Sequence, residues 1–207
     1  MRRKPIRTAN FFSVLSILFL FALLCGALTG KLAWFLFSLS TAPVLSVFLY
    51  LLWWKYGDDR FRLNSFYNFI LLVMLSMYCY LPLFSFIWNS WIGITTSLLH
   101  ILLFGMSCHY REAMLRMAHN RDVHGKKKDY QYVKWYIRIW LLLGIPSALF
   151  IHVTVTFPFD NLRMIMAIEI LYALSFAFLI ISPLGLVSPK RQIEMKILHK
   201  KDYKQAR

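Results

Sequence analysis

Charge is scarce in this chain, and acidic charge is scarcest. Only 16% of its 207 residues are charged, and nine are Asp or Glu. A soluble domain carries about 25% charged residues, so an ordinary soluble domain is excluded. Cysteine is nearly absent as well. Cys25, Cys79 and Cys108 are odd in number, widely spaced and set in or beside apolar runs, with no CxxC pair. Such usage does not describe a disulfide framework. HExxH and paired Cys/His spacings are missing, so no metal site is expected. Phosphate-cradling glycine loops and the GxGD motif of intramembrane proteases are missing too. Gly105-Met106-Ser107-Cys108 places Cys108 where a rhomboid-type GxSG motif needs glycine. No catalytic residue and no cofactor are expected.

What the chain does have is apolar length. Hydrophobic residues make up 59% of it and aromatics 17%. A hydrocarbon core of about 30 Å takes roughly 20 apolar residues per helix. Six runs meet that need, at about 11–28, 32–54, 66–88, 91–110, 135–157 and 162–187. They leave no room for a soluble domain of ordinary size. The expected fold is therefore an all-α integral membrane bundle of six transmembrane helices, one polytopic domain over 1–207. A basic loop at 111–134 and a basic tail at 188–207 complete it. Arg2, Arg3, Lys4 and Arg7 ahead of Phe11 resemble a signal peptide. The run continues to about Leu28, longer than a signal needs, and bulky Leu24 precedes Cys25 where a lipoprotein signal needs a small residue. The expectation is an uncleaved first span.

The net charge of +15 is distributed by topology. Of the 24 Lys and Arg residues, 22 fall in the N-tail, the second and fourth loops with their flanks, and the C-tail; only Lys31 and Arg163 fall on the other side. The positive-inside rule then assigns both termini to the cytoplasm. Trp34, Trp53, Trp54, Trp88, Trp91 and Trp135 lie near span ends, as interfacial anchors do. This arrangement speaks against nucleic acid as a partner and for the lipid bilayer. The short chain, without eukaryotic sorting signals, points to a bacterial plasma membrane.

An ionisable residue inside a span is costly and marks a candidate site. His100, His152 and Glu169 qualify. His100 lies about 13 Å in from Trp91, His152 about 8 Å in from Phe157, and Glu169 about 12 Å in from Asn161. A tight turn joins spans five and six, so His152 and Glu169 are expected at similar depth, within reach of each other. Thr96, His100 and Ser107 share one face of span four, with Ser97 adjacent. These residues read either as a polar lining for a substrate or as hydrogen-bonding glue between helices. Haem is disfavoured because His100 and His152 differ in depth.

Arg111 to His119 reads as a helical continuation of span four beyond the membrane surface, with Met114, Leu115, Met117 and Ala118 on its apolar side. Arg111, Arg116, Arg121, Lys126, Lys127 and Lys128 are the candidates for contact with anionic lipid headgroups or a membrane protein partner. Topology determination alone also accounts for them. Ala22, Gly26 and Gly30 recur every fourth residue and permit close helix approach. Three function classes stay open: a non-catalytic membrane component, a small transporter or permease subunit using the His152 and Glu169 region, and an intramembrane enzyme built on Ser107 or Cys108.

Overall fold

The computed structural model describes residues 11–56, 60–118, 131–155, 157 and 161–194. Among these the chain is helical throughout: α1 (Phe11–Leu28), α2 (Leu32–Tyr56), α3 (Arg60–Ile87), α4 (Trp91–Ala118), α5 (Gln131–Thr154), α6 (Leu162–Ile181), a 3₁₀ segment (Ser182–Leu186) and α7 (Pro189–Glu194). Four helical segments are long and apolar enough to cross a membrane: Leu32–Lys55, Phe61–Ile87, Trp91–Leu115 and Leu162–Leu186. Phe12–Leu28 and Arg138–Thr154 are shorter apolar helices. A helix satisfies its backbone polar groups internally, which lipid demands.

The outer surface supports the membrane reading. Leu32, Val44, Leu98, Ile101, Leu142 and Val153 are all exposed. A water-facing surface so rich in large apolar side chains would associate. Facing lipid, it carries no such cost.

Helices α3 and α6 lie against each other at the centre. The α1–α2 pair flanks α3, α5 packs on α6, and α4 leans on α6 and the 3₁₀ segment. Between lipid-like surfaces, packing and interhelical hydrogen bonds drive association, and both are in place. Gly26 lets α1 approach α2 so closely that an added Cβ would stand 2.2 Å from Ser38 Oγ. The Ser38 hydroxyl crosses the same gap to donate to the Ala22 carbonyl at 2.9 Å. Gly30, the third small residue of the series, has a different role. It sits in the α1–α2 turn at φ 63°, a conformation glycine adopts without strain. Lys31 beside it donates from Nζ to the Ser85 carbonyl at 2.7 Å, tying the turn to the end of α3.

Three boundaries differ from the sequence reading. Helix α3 begins at Arg60 rather than near residue 66, so part of the expected loop is helical. Helix α5 begins at Gln131, ahead of Trp135. The sixth run changes to 3₁₀ at Ser182 instead of continuing as one helix to 187. The cause is Pro183, which has no N–H for the Leu179 carbonyl. The Ser182 hydroxyl donates to that carbonyl instead, at 2.9 Å. The segment then presses on α3: a Cβ at Gly185 would meet the Ser65 carbonyl oxygen at 2.5 Å. The helical continuation of α4 beyond residue 110 is observed to Ala118, with Met114 and Leu115 buried.

Candidate functional site

The ionisable candidates His100, His152 and Glu169 fall into two places. The first is built around His100, where α3, α4 and α6 meet. Its Nδ1 lies 2.9 Å from the Thr96 carbonyl. A carbonyl only accepts, so Nδ1 carries a proton. Its Nε2 lies 2.8 Å from Ser175 Oγ on α6. The Ser175 hydroxyl also has the Tyr172 carbonyl within 2.6 Å. With a neutral imidazole the hydroxyl donates to Nε2; with an imidazolium, Nε2–H donates to Oγ and the hydroxyl turns to Tyr172. The same heavy-atom positions therefore serve both forms.

Aromatic rings close the sides. Tyr80 stacks on one side of His100 at 4.3 Å between centroids, and Phe176 stacks at 4.5 Å. The network spreads from there. The Thr96 hydroxyl donates back to the Ile92 carbonyl at 2.9 Å, so the Tyr80 hydroxyl, 2.7 Å away, can donate to it. Ser97 Oγ is 3.0 Å from the same Tyr80 oxygen. The Ser76 hydroxyl donates to the Ser175 carbonyl at 2.8 Å, joining α3 to α6.

The second place is the ion pair of α5 and α6. His152 Nδ1 lies 2.8 Å from Glu169 Oε1. Helix α6 is started about two turns before Glu169 by Asn161, whose side-chain oxygen accepts from the Arg163 N–H at 3.2 Å. The two partners are unequally covered: the His152 side chain is 51% exposed and that of Glu169 only 14%. Glu169 also lines a hollow of about 290 Å³ with Trp140, Ala148, Met166 and Ala173. The Trp140 indole N–H donates to the Ala173 carbonyl at 2.8 Å beside it.

The sequence-level candidates thus divide. His152 and Glu169 come together, and so do Thr96 and His100. Ser107 does not join them: it is buried in a different hollow, between α4 and α5. Tyr80, Ser175 and Ser76 complete the His100 site and were not expected from the sequence. Ser76 and Tyr80 are four apart on α3, which puts them on one face. Nothing in that spacing distinguishes them from ordinary packing hydroxyls. The structure also brings two cysteines together. Buried Cys25 on α1 and Cys79 on α3 are neighbours.

The basic candidates are less completely placed. Arg111 is half-buried on α4, and Arg116 lies on the same helix. Arg121, Lys126, Lys127 and Lys128 lie outside the described residues. Arg191 of α7 bridges Glu112 at 3.0 Å and Glu194 at 2.8 Å, docking α7 beside the end of α4. Glu112 first, then Glu194, raise the Arg191 pKa above its ordinary value. Among the described residues no cluster of three His, Cys, Asp or Glu side chains is arranged to hold a metal ion. Comparison with protein-family models, with curated proteins and with solved structures found no match to this chain.

Proposed function

We propose that the chain is a six-span membrane protein with both ends in the cytoplasm, and that it serves as a non-catalytic component of a membrane assembly. It would act as a subunit, regulatory or immunity-type protein through helix contacts and basic cytoplasmic segments. The observation that carries this reading is the closure of His100. Both ring nitrogens are engaged and the ring is stacked by Tyr80 and Phe176, as suits a residue that fixes helix positions.

The six-span reading adds α1 and α5 to the four longer segments. Helix α1 has 18 residues, about 27 Å at 1.5 Å per residue, which lies within the range of spanning helices. With six spans, 22 of the 24 basic residues share one side, and the positive-inside rule makes that side cytoplasmic. A bacterial plasma membrane remains the proposed location.

The test is purification of the intact protein in mild detergent, with mass spectrometry of what accompanies it. A membrane protein partner in fixed stoichiometry, lost when the basic segment 121–128 is made neutral, is expected. A solitary species in the native membrane overturns the reading.

One observation favours a second reading, a small transporter or permease subunit. Glu169 is a mostly covered carboxylate on the wall of a hollow. Glu169→Gln abolishing a transport activity, with the protein still folded and inserted, would establish that reading. Unchanged transport would remove it.

A further inference from the structure

A hollow of about 190 Å³ runs between α4 and α5. Its wall is apolar, Ser107 apart, from Leu103 to Met114 on α4 and from Trp135 to Leu143 on α5. Leu103 to Tyr110 on α4 and Leu143 to Trp135 on α5 each cover about 11–12 Å along a helix, most of the roughly 15 Å in half of a hydrocarbon core. The hollow therefore spans most of the depth of one leaflet. One end is framed by Tyr110 and Trp135, the residue types that sit at headgroup level.

Two arginines stand at that end. Arg111 is four residues after Ser107 and three before Met114, both of which line the hollow, so it lies on the same face of α4. Arg138 is three residues after Trp135 and four before Leu142, so it borders the hollow from α5. Arg138 is exposed and Arg111 half-exposed. The acidic neighbour Glu112 is engaged by Arg191, 3.0 Å away. An apolar slot that spans most of a leaflet and ends in aromatics and two guanidinium groups matches one class of molecule.

From this we infer that the α4–α5 hollow is a binding site for an anionic phospholipid of the cytoplasmic leaflet. An acyl chain lies along Leu103, Ile139 and Leu143, and the phosphate lies between Arg111 and Arg138. Guanidinium groups suit phosphate because their N–H donors form charge-assisted, paired hydrogen bonds. The inference rests on the orientation proposed above, which sets the hollow in the cytoplasmic leaflet.

The test is native mass spectrometry of the full chain, stripped of lipid and then offered phosphatidylglycerol or phosphatidylcholine in mild detergent. One phosphatidylglycerol retained per chain is expected, with phosphatidylcholine held at least tenfold more weakly. Inorganic phosphate should not displace it. Arg111→Gln and Arg138→Gln should each weaken retention about fivefold, the factor that corresponds to one basic residue near an anionic surface. Ile139→Trp, which fills the slot and leaves both arginines, should abolish retention. Equal retention of the two lipids, displacement by phosphate, or indifference to Ile139→Trp overturns the site. Orientation is read separately, by maleimide labelling of Arg111→Cys in sealed vesicles of a Cys108→Ser background. Labelling from the cytoplasmic face alone is expected. Labelling from the opposite face, with lipid still retained, would overturn the leaflet assignment and the proposed topology together.

Discussion

The two ends of this bundle solve the same packing problem in opposite ways. Helices α1 and α2 meet through Ala22, Gly26 and Ser38, close enough for a side-chain hydroxyl to reach the neighbouring backbone. Helices α4 and α5 meet through larger side chains and leave hollows of about 190 and 320 Å³ between them, both lined in part by Leu142 and Leu143. Both pairs are held to the centre by polar bridges, α2 to α3 through Thr41 and Tyr78, and α4 to α6 through His100 and Ser175. What differs is the size of the facing residues. Without water to expel, dispersion contact decides how tightly helices join, and small residues supply it by bringing backbones together. The first pair is thereby a closed interface and the second an open one.

Substitutions at the closed interface should cost most. Gly26→Leu has no space beside Ser38, and overpacking of this kind costs about 1–3 kcal/mol. We expect a strongly lowered melting temperature in detergent, or no folded protein. A variant that melts like the parent would break the contrast. Next in size is Ser175→Ala, which leaves His100 Nε2 without its partner. An unsatisfied buried polar atom costs about 1–3 kcal/mol, and the lower end is expected, read by the same melt. Ser38→Ala removes one interhelical bond, and its cost should be near the ~0.6 kcal/mol typical in membrane proteins. Smallest of all should be Gly105→Ala on α4, where an added Cβ meets nothing within 4 Å. It should stay within about 0.5 kcal/mol of the parent. Equal losses for Gly26→Ala and Gly105→Ala would show that the two helix pairs are packed alike.

Much of this contrast could be read in advance on one side only. The four-residue recurrence of Ala22 and Gly26 announces close approach because small side chains have a single structural use at a lipid-free seam. Gly30 belonged to the series by spacing but not by role, since a turn needs positive φ as readily as a seam needs small size. The pairing of His152 with Glu169 was legible because a short turn forces α5 and α6 to be neighbours and fixes their relative depth. The His100 site was legible only within α4. Its partners Tyr80 and Ser175 come from α3 and α6, and local spacing does not report which faces meet across a bundle. Ser107 shows the same limit. It shares a face with His100, yet the length between them puts it beside a different helix. The hollow between α4 and α5 had no sequence signal, because an empty space is a property of two helices at once.

The closed and open interfaces are compared most directly by the bilayer itself. A phospholipid carrying a photoreactive diazirine in its acyl chain would be mixed into membranes holding the intact protein, illuminated, and the labelled residues read by mass spectrometry. The account predicts label on Leu103, Ile139 and Leu143 inside the α4–α5 hollow, and none on Ala22, Gly26 or Ser38. Label at the α1–α2 seam, or its absence from all three residues of the hollow, would contradict it.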